Sequence, residues 1–175
     1  MTATIPGLTQ GTWTIDPVHS EVTASIRHLG VSKVRASFAE FSGAVTVAED
    51  GAPAVVAEIA VGSIDTKNEA RDTHVKSADF FDVATYPTAS FRSTGVQKDG
   101  DDYIVSGDFT LHGVTKPIEL RLEFGGVAQN PQTGGSVAGF SATTTIGRSD
   151  FGISAAPGLL GEKVAIELDI EAALA

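Results

Sequence analysis

Apolar and polar residues alternate with a period of two along most of this chain, the spacing that sends successive side chains to opposite faces of a β-strand. A short opening strand is expected around Trp13 and Ile15. Val22, Ala24, Ile26 and His28 then share one face, with Glu21, Thr23, Ser25 and Arg27 on the other. Phe41, Gly43, Val45 and Val47 repeat the pattern before a turn at Glu49-Asp50-Gly51, and Val55, Ala57, Ile59 and Val61 make the next inward set. After an interruption the alternation resumes with Ala89, Phe91, Ser93 and Gly95. It turns at Lys98 to Asp101 and continues through Tyr103, Val105, Gly107, Phe109 and Leu111.

A further turn at His112-Gly113 leads to Ile118, Leu120, Leu122 and Phe124, which alternate with Glu119, Arg121 and Glu123. A polar loop over 129–136 precedes Ala138, Phe140, Ala142, Thr144 and Ile146. Val164, Ile166, Leu168 and Ile170 close the series. Eight full-length strands and a short first one, joined mostly by tight turns, predict an antiparallel up-and-down sheet. Closing that sheet into an eight-stranded, lipocalin-like barrel removes its exposed edges.

The interruption between Ile64 and Tyr86 is too long for a hairpin loop. Thr66 can cap a helix, Glu69 three residues later completes a capping box, and Glu69 to Lys76 contains neither Gly nor Pro. Ser77 to Asp82 predicts a second short helical turn, ended at Tyr86-Pro87. The fold class is therefore all-β with a short helical insertion. Residues 1–11 are expected to form a flexible tail and 12–175 the barrel domain.

Composition narrows what such a barrel can do. The 42% hydrophobic fraction supports one core, and the net charge of −10 opposes general binding to nucleic acid or anionic membranes. With no cysteine there is no thiolate chemistry or cysteine-based metal site. The N-terminus shows no basic start followed by an apolar run, and no stretch reaches membrane-spanning length. A cytoplasmic protein without stable membrane insertion is expected, or an exported one if the sequence is a processed form.

The inward faces mix Phe with Ala, Gly, Ser and Thr. Strands of roughly ten residues span about 33 Å, so small inward residues can leave a long apolar tunnel. They can equally do no more than accommodate barrel taper, leaving the interior filled.

Several constellations could carry chemistry, each beside a plainer structural role. Asp16, His19 and Ser20 combine an acid, an imidazole and a hydroxyl, yet Asp before Pro also suits a self-bonded turn. On the helix, Arg71 and His74 share a face, and with Asp72 they can either hold a polar head at the barrel mouth or form a solvated surface. His28 sits near one end of its strand, where a hydrogen-bonded core histidine is the simpler reading. The four histidines lack the spacing of a helical zinc pair, so neither metal nor cofactor is expected. Phe80 and Phe81 can form a lid or merely fasten the insertion. Arg148 can meet an anionic head or pair with Asp150.

Taken in order, WTIDPVHS, RHLGVSKVRASF with the following FSG, SIDTKNEARDTHVKSADFFDVATYP with ASF, DFTLHGVTKPIEL and GRSDFGI resemble the YceI family of bacterial lipid-binding, lipocalin-like proteins. The resemblance runs from Trp13 to about Glu171. It implies a barrel around a long apolar pocket that binds polyisoprenoids or other long-chain amphiphiles without catalysis, in transport or storage, with isoprenoid quinones among the candidate ligands.

Carried over by position, His28, Phe38, Phe41, Phe80, Phe81 and Phe91 become pocket-lining or pocket-closing candidates. So do Phe109, Leu111, Leu120 and Phe124, and the inward set on the penultimate strand adds Phe140 and Ala142. Asp16, His19, Arg71, Asp72 and His74 become candidate contacts at the polar mouth. Ala36 stands where the family commonly carries Gly. Two other functions compete: an enzyme using a His/Asp pair on a bound lipid, or a filled barrel whose surface meets a protein. A homodimer through the outer strand faces is open, although Glu119, Arg121, Glu123, Glu167 and Asp169 put charge there.

Overall fold

The computed structural model describes residues 2–175. Its wall is antiparallel throughout. The strands are β1 (Gly11–Ile15), β2 (Glu21–His28), β3 (Ser32–Phe38), β4 (Phe41–Val47), β5 (Pro53–Ala60) and the two-residue β6 (Ile64–Asp65). Helix α1 (Glu69–Lys76) follows, then β7 (Thr88–Asp99), β8 (Asp102–Leu111), β9 (Val114–Gln129), β10 (Ser136–Gly147) and β11 (Leu160–Leu174).

β1 and β2 act as one long strand with a jog at 16–20, and β3 and β4 as its hairpin partner. Trp13 opposes Val45 in one half and Thr23 opposes Ser37 in the other. From β4 the ladder passes through β5, β7, β8, β9, β10 and β11. β11 returns to both β2 and β1, so the ring closes with eight wall strands.

Local chemistry explains the corners. At the β2–β3 and β8–β9 turns the two central residues both take positive φ, Leu29 at 53° with Gly30 at 70°, and His112 at 54° with Gly113 at 72°. At β8–β9 that pairing makes the two-residue turn whose twist matches the flanking strands, and at β2–β3 Val31 follows it as a third loop residue before Ser32 pairs with His28.

The strand β3 was not expected from the alternation. Its apolar positions, Val34, Ala36 and Phe38, are few, and Lys33 and Arg35 interleave them immediately after the Leu29-Gly30 turn. Phe38 is its last residue. A bulge between Ser93 and Gly95 shifts the inward parity of β7, so that Val96, 1% exposed, faces the core where Gly95 was expected.

The insertion also differs from its expected form. Asn68 caps α1, its side chain accepting the Arg71 N–H at 2.9 Å. Thr66 is instead drawn into the wall, its N–H donating to Asp72 Oδ1 at 2.9 Å while its own oxygens accept from the Arg71 guanidinium at 2.8 and 2.6 Å. Residues 77–82 form turns rather than helix, because Asp82 takes φ 49° and its N–H bonds back to Ser77 O.

The segment before β1 packs on the barrel. Ile5 and Leu8 are buried, the Ala3 N–H donates to Val96 O at 2.7 Å, and the Trp13 indole N–H donates to Thr9 O at 2.9 Å. Gly11, read from the sequence as the end of a tail, is the first residue of β1 and pairs with Val47.

Candidate functional site: an apolar interior in two lobes

Two cavities occupy the barrel. The upper one, of about 170 Å³, lies at the end that carries α1. The lower, of about 150 Å³, lies toward the N-terminal segment. Both are partly open to solvent and lined almost wholly by carbon. Val22, Ile59, Phe109 and Ile166 belong to both walls, so the two lie end to end and meet at that belt. An apolar cavity of about 150 Å³ is already large enough to take up a benzene-sized molecule.

The small inward residues only partly create this space. Gly107 contributes none: a Cβ there would lie 2.3 Å from Phe91 Cζ, so the Phe91 ring fills the gap the glycine leaves. Ala142 in the lower lobe, and Ala24, Ala36 and Ala89 in the upper, do leave room. The interior is therefore neither a plain tunnel nor a filled barrel.

The candidate residues fall into place as follows. Phe38, Phe80, Phe81 and Leu111 line the upper lobe, Phe41, Phe91, Leu120, Phe140 and Ala142 the lower, and Phe109 stands at the junction. His28 and Phe124 line neither. His28 is half-buried at the outer end of β2, opposite Leu160 and Ser32. Phe124 leans on Phe140 with ring centroids 5.4 Å apart. Val34, Val75 and Ile153, which the sequence did not single out, also line the upper lobe. Val75 is the one aliphatic residue larger than alanine on an otherwise polar helix, which was a usable signal.

The five polar candidates do not form one mouth. Asp16 and His19 sit at the β1–β2 jog beside β11, where the Asp16 N–H donates to Glu171 O at 2.8 Å. Their side chains meet at 2.7 Å, and that hydrogen bond is the main reason His19 is held above the usual histidine value and Asp16 below the usual carboxylate value. Arg71 and Asp72 clamp Thr66, and the Thr66 hydroxyl hydrogen bond leads the effects that lower the Asp72 pKa. His74 bonds Asp79 at 3.1 Å and meets the Phe80 ring edge-on at 5.1 Å. None of the five lines either cavity. No grouping of three or more metal-ligating side chains occurs among the described residues.

Arg148 is the charged group of the upper wall. It is 6% exposed and does not pair with Asp150. Its guanidinium donates to the carbonyls of Gly161 at 2.9 Å, Ala155 at 2.7 Å, Ile153 at 3.3 Å and Leu160 at 3.4 Å, bracing the 152–161 loop against the barrel. Buried charge needs such hydrogen bonding to be tolerated.

Fold and site together define a closed eight-stranded barrel with an internal apolar compartment. The chain belongs to the YceI-like domain family, whose model matches residues 13–172. It is 39% identical over 155 residues to Protein YceI of Escherichia coli O17:K52:H18, an alignment covering 87% of this chain and 81% of that protein. Among solved structures, Burkholderia cenocepacia BcnA superposes with a TM-score of 0.78 at 24% identity, covering 90% of this chain and 98% of that one. A polyisoprenoid binding domain from Saccharophagus degradans, implicated in plant cell wall breakdown, superposes with a TM-score of 0.74 at 17% identity, covering 95% and 100%.

Proposed function

We propose that this protein binds a single long-chain apolar or amphiphilic lipid of polyisoprenoid type inside the barrel, as a carrier or store and without chemical turnover. The observation that carries this reading is the pair of carbon-lined cavities meeting end to end. A flexible chain can thread past the belt at Val22, Ile59, Phe109 and Ile166, whereas a compact polar metabolite would lose its hydration in either lobe without gaining hydrogen bonds. The description of the Saccharophagus neighbour as a polyisoprenoid binding domain points the same way.

Affinity would come from burial, at about 0.8 kcal/mol for each methylene removed from water, less the cost of ordering the chain. The Asp16–His19 and His74–Asp79 pairs lie off the cavity walls, which favours binding over acid–base chemistry on a bound lipid. The test is native mass spectrometry of the purified protein beside mass spectrometry of its organic extract. A stoichiometric prenyl or other long-chain species supports the reading. Ligand-free protein from several expression hosts that also refuses added geranylgeraniol overturns it.

A further inference from the structure

Of the six large exposed apolar side chains among the described residues, Leu29, Val31 and Leu159 lie together at the upper end of the barrel, while Val18, Val56 and Val127 are scattered elsewhere. Leu29 is 55% exposed and Val31 81% exposed at the tip of the β2–β3 turn, and Leu159 is 47% exposed on the adjoining loop. The two pieces are tied together, for the Leu29 N–H donates to Leu159 O at 2.8 Å. Leu29 takes φ 53°, in a turn position where Asn, Asp or Gly is favoured and a bulky apolar residue is an outlier. The turn accounts for the backbone conformation, but core packing does not account for a leucine side chain held out to solvent there.

Charge is distributed to match. Ser25 to Arg35 carries Arg27, Lys33 and Arg35 with no carboxylate, in a chain whose net charge is −10. Lys163 lies close by, at the start of β11. Among the described residues none of these four cations forms an ion pair. The nearby Glu162 is engaged by the Ser149 N–H and hydroxyl. The same elements wall the upper cavity, through Ile26, Val34, Leu160 and Val164.

We propose that this end of the barrel docks on an anionic lipid bilayer, with Leu29, Val31 and Leu159 entering the interface and Arg27, Lys33, Arg35 and Lys163 meeting the headgroups. The purpose assigned to the contact, loading and unloading the upper lobe, rests on the lipid-binding reading above; the contact itself does not. Acidic groups at the Asp99–Asp102 end of the barrel are screened beyond a Debye length of about 10 Å. Asp150, Glu162 and the Glu69, Asp72, Asp79 and Asp82 of the insertion share the upper end, so the contact is assigned to the β2–β3 tip and its adjoining loop, where Ser25 to Arg35 carries no carboxylate. The local cations and apolar tip therefore decide the interaction.

Flotation with vesicles of phosphatidylcholine alone, or with 30% phosphatidylglycerol, tests this at low and high salt. At low salt the bound fraction should be at least tenfold higher on the anionic vesicles, and high salt should remove most of it. The double change Lys33→Glu/Arg35→Glu should abolish binding. Leu29→Asn/Val31→Ser should weaken it several-fold with an unchanged Tm, since Asn suits the turn better than Leu. Lys98→Glu, at the opposite end, should bind as wild type does. Equal flotation with neutral and anionic vesicles, no flotation at all, or full binding by either double variant overturns the proposal. Mass spectrometry of the same preparations separates the two ideas. An empty interior with intact flotation removes only the lipid-carrier reading, and a loaded interior without flotation removes only the docking.

Discussion

The two lobes of the interior are closed in different ways. The lower lobe is walled largely by long paired stretches of β8, β9, β10 and β11, interrupted by one bulge at Gly139/Phe140, with Ile5 of the N-terminal segment set across it. The upper lobe is walled in part by α1, the 77–87 turns and the 148–159 loop, which lie outside the ladder and are fastened by side chains. Arg71 and Asp72 on Thr66, and Arg148 on four carbonyls, are those fastenings. A ladder opens only when several adjacent backbone bonds break together, whereas a clamp of one or two side chains opens locally. On the proposed lipid-binding reading, the lower lobe is the part that holds and the upper the part that admits and releases.

Blocking each lobe in turn breaks this comparison most strongly. Ala142→Trp places a large ring in the lower lobe and Ala36→Trp one in the upper. If the lower lobe holds the chain's far end, Ala142→Trp excludes about five methylenes at about 0.8 kcal/mol each, close to a thousandfold in affinity for a long prenyl chain. A shorter chain such as farnesol should be nearly unaffected by Ala142→Trp and excluded by Ala36→Trp. Titration of both variants with both chains checks this, and equal losses for both chains would show that the lobes do not act in series.

The belt between the lobes gives the next largest effect. Phe109 is 7% exposed and meets Phe151 edge-on at 5.5 Å. Phe109→Ala should cost about 3 kcal/mol of stability in urea unfolding, at the lower end for a buried phenylalanine because cavity already flanks the ring. It should also merge the lobes and widen the range of chains accepted. Unchanged selectivity would mean that the belt does not gauge the ligand.

The insertion supplies a smaller effect. Asn68→Ala removes the α1 cap and should cost about 1 kcal/mol locally. Hydrogen exchange over 69–76 should quicken while exchange in β8 and β9 stays as it was. If α1 is part of the door, ligand release should accelerate in parallel. Faster exchange with an unchanged release rate would move the door elsewhere along the upper wall.

How far the sequence alone reached follows from the same division. Where the wall alternates strictly, as at Tyr103 to Leu111, Ile118 to Leu122 and Ala138 to Ile146, period two gave both the strand and its inward face. It failed where something non-local intervened. The β7 bulge exchanged Gly95 for Val96, Phe91 occupied the space above Gly107, and β3 carried too few apolar residues to stand out. The polar residues misled for another reason. Asp16, His19, Arg71, Asp72 and His74 have the side-chain types of a binding mouth, but their partners lie a few residues away and fix the backbone. Spacing cannot distinguish a carboxylate that waits for a ligand from one already engaged by Thr66.

The smallest expected effect belongs to the Asp16–His19 pair, which fixes the β1–β2 jog on the outer wall. The hydrogen bond raises His19 above its ordinary 6.5 and lowers Asp16 below its ordinary 3.8. The signs then follow from linkage. The histidine's contribution is fully present below about pH 6.5 and disappears as pH rises through its raised value. The carboxylate's is present above about pH 3.8 and disappears as pH falls through its lowered value. The pair therefore supports the jog most between those limits, and weakly, since both groups are solvated. NMR titration of the His19 ring should give a midpoint above 6.5 that returns toward it in Asp16→Asn. Ligand affinity should be the same in both proteins, because neither residue lines a lobe. A midpoint indifferent to Asp16→Asn would show the bond absent in solution, and a change in ligand affinity would bring this jog back into the binding site.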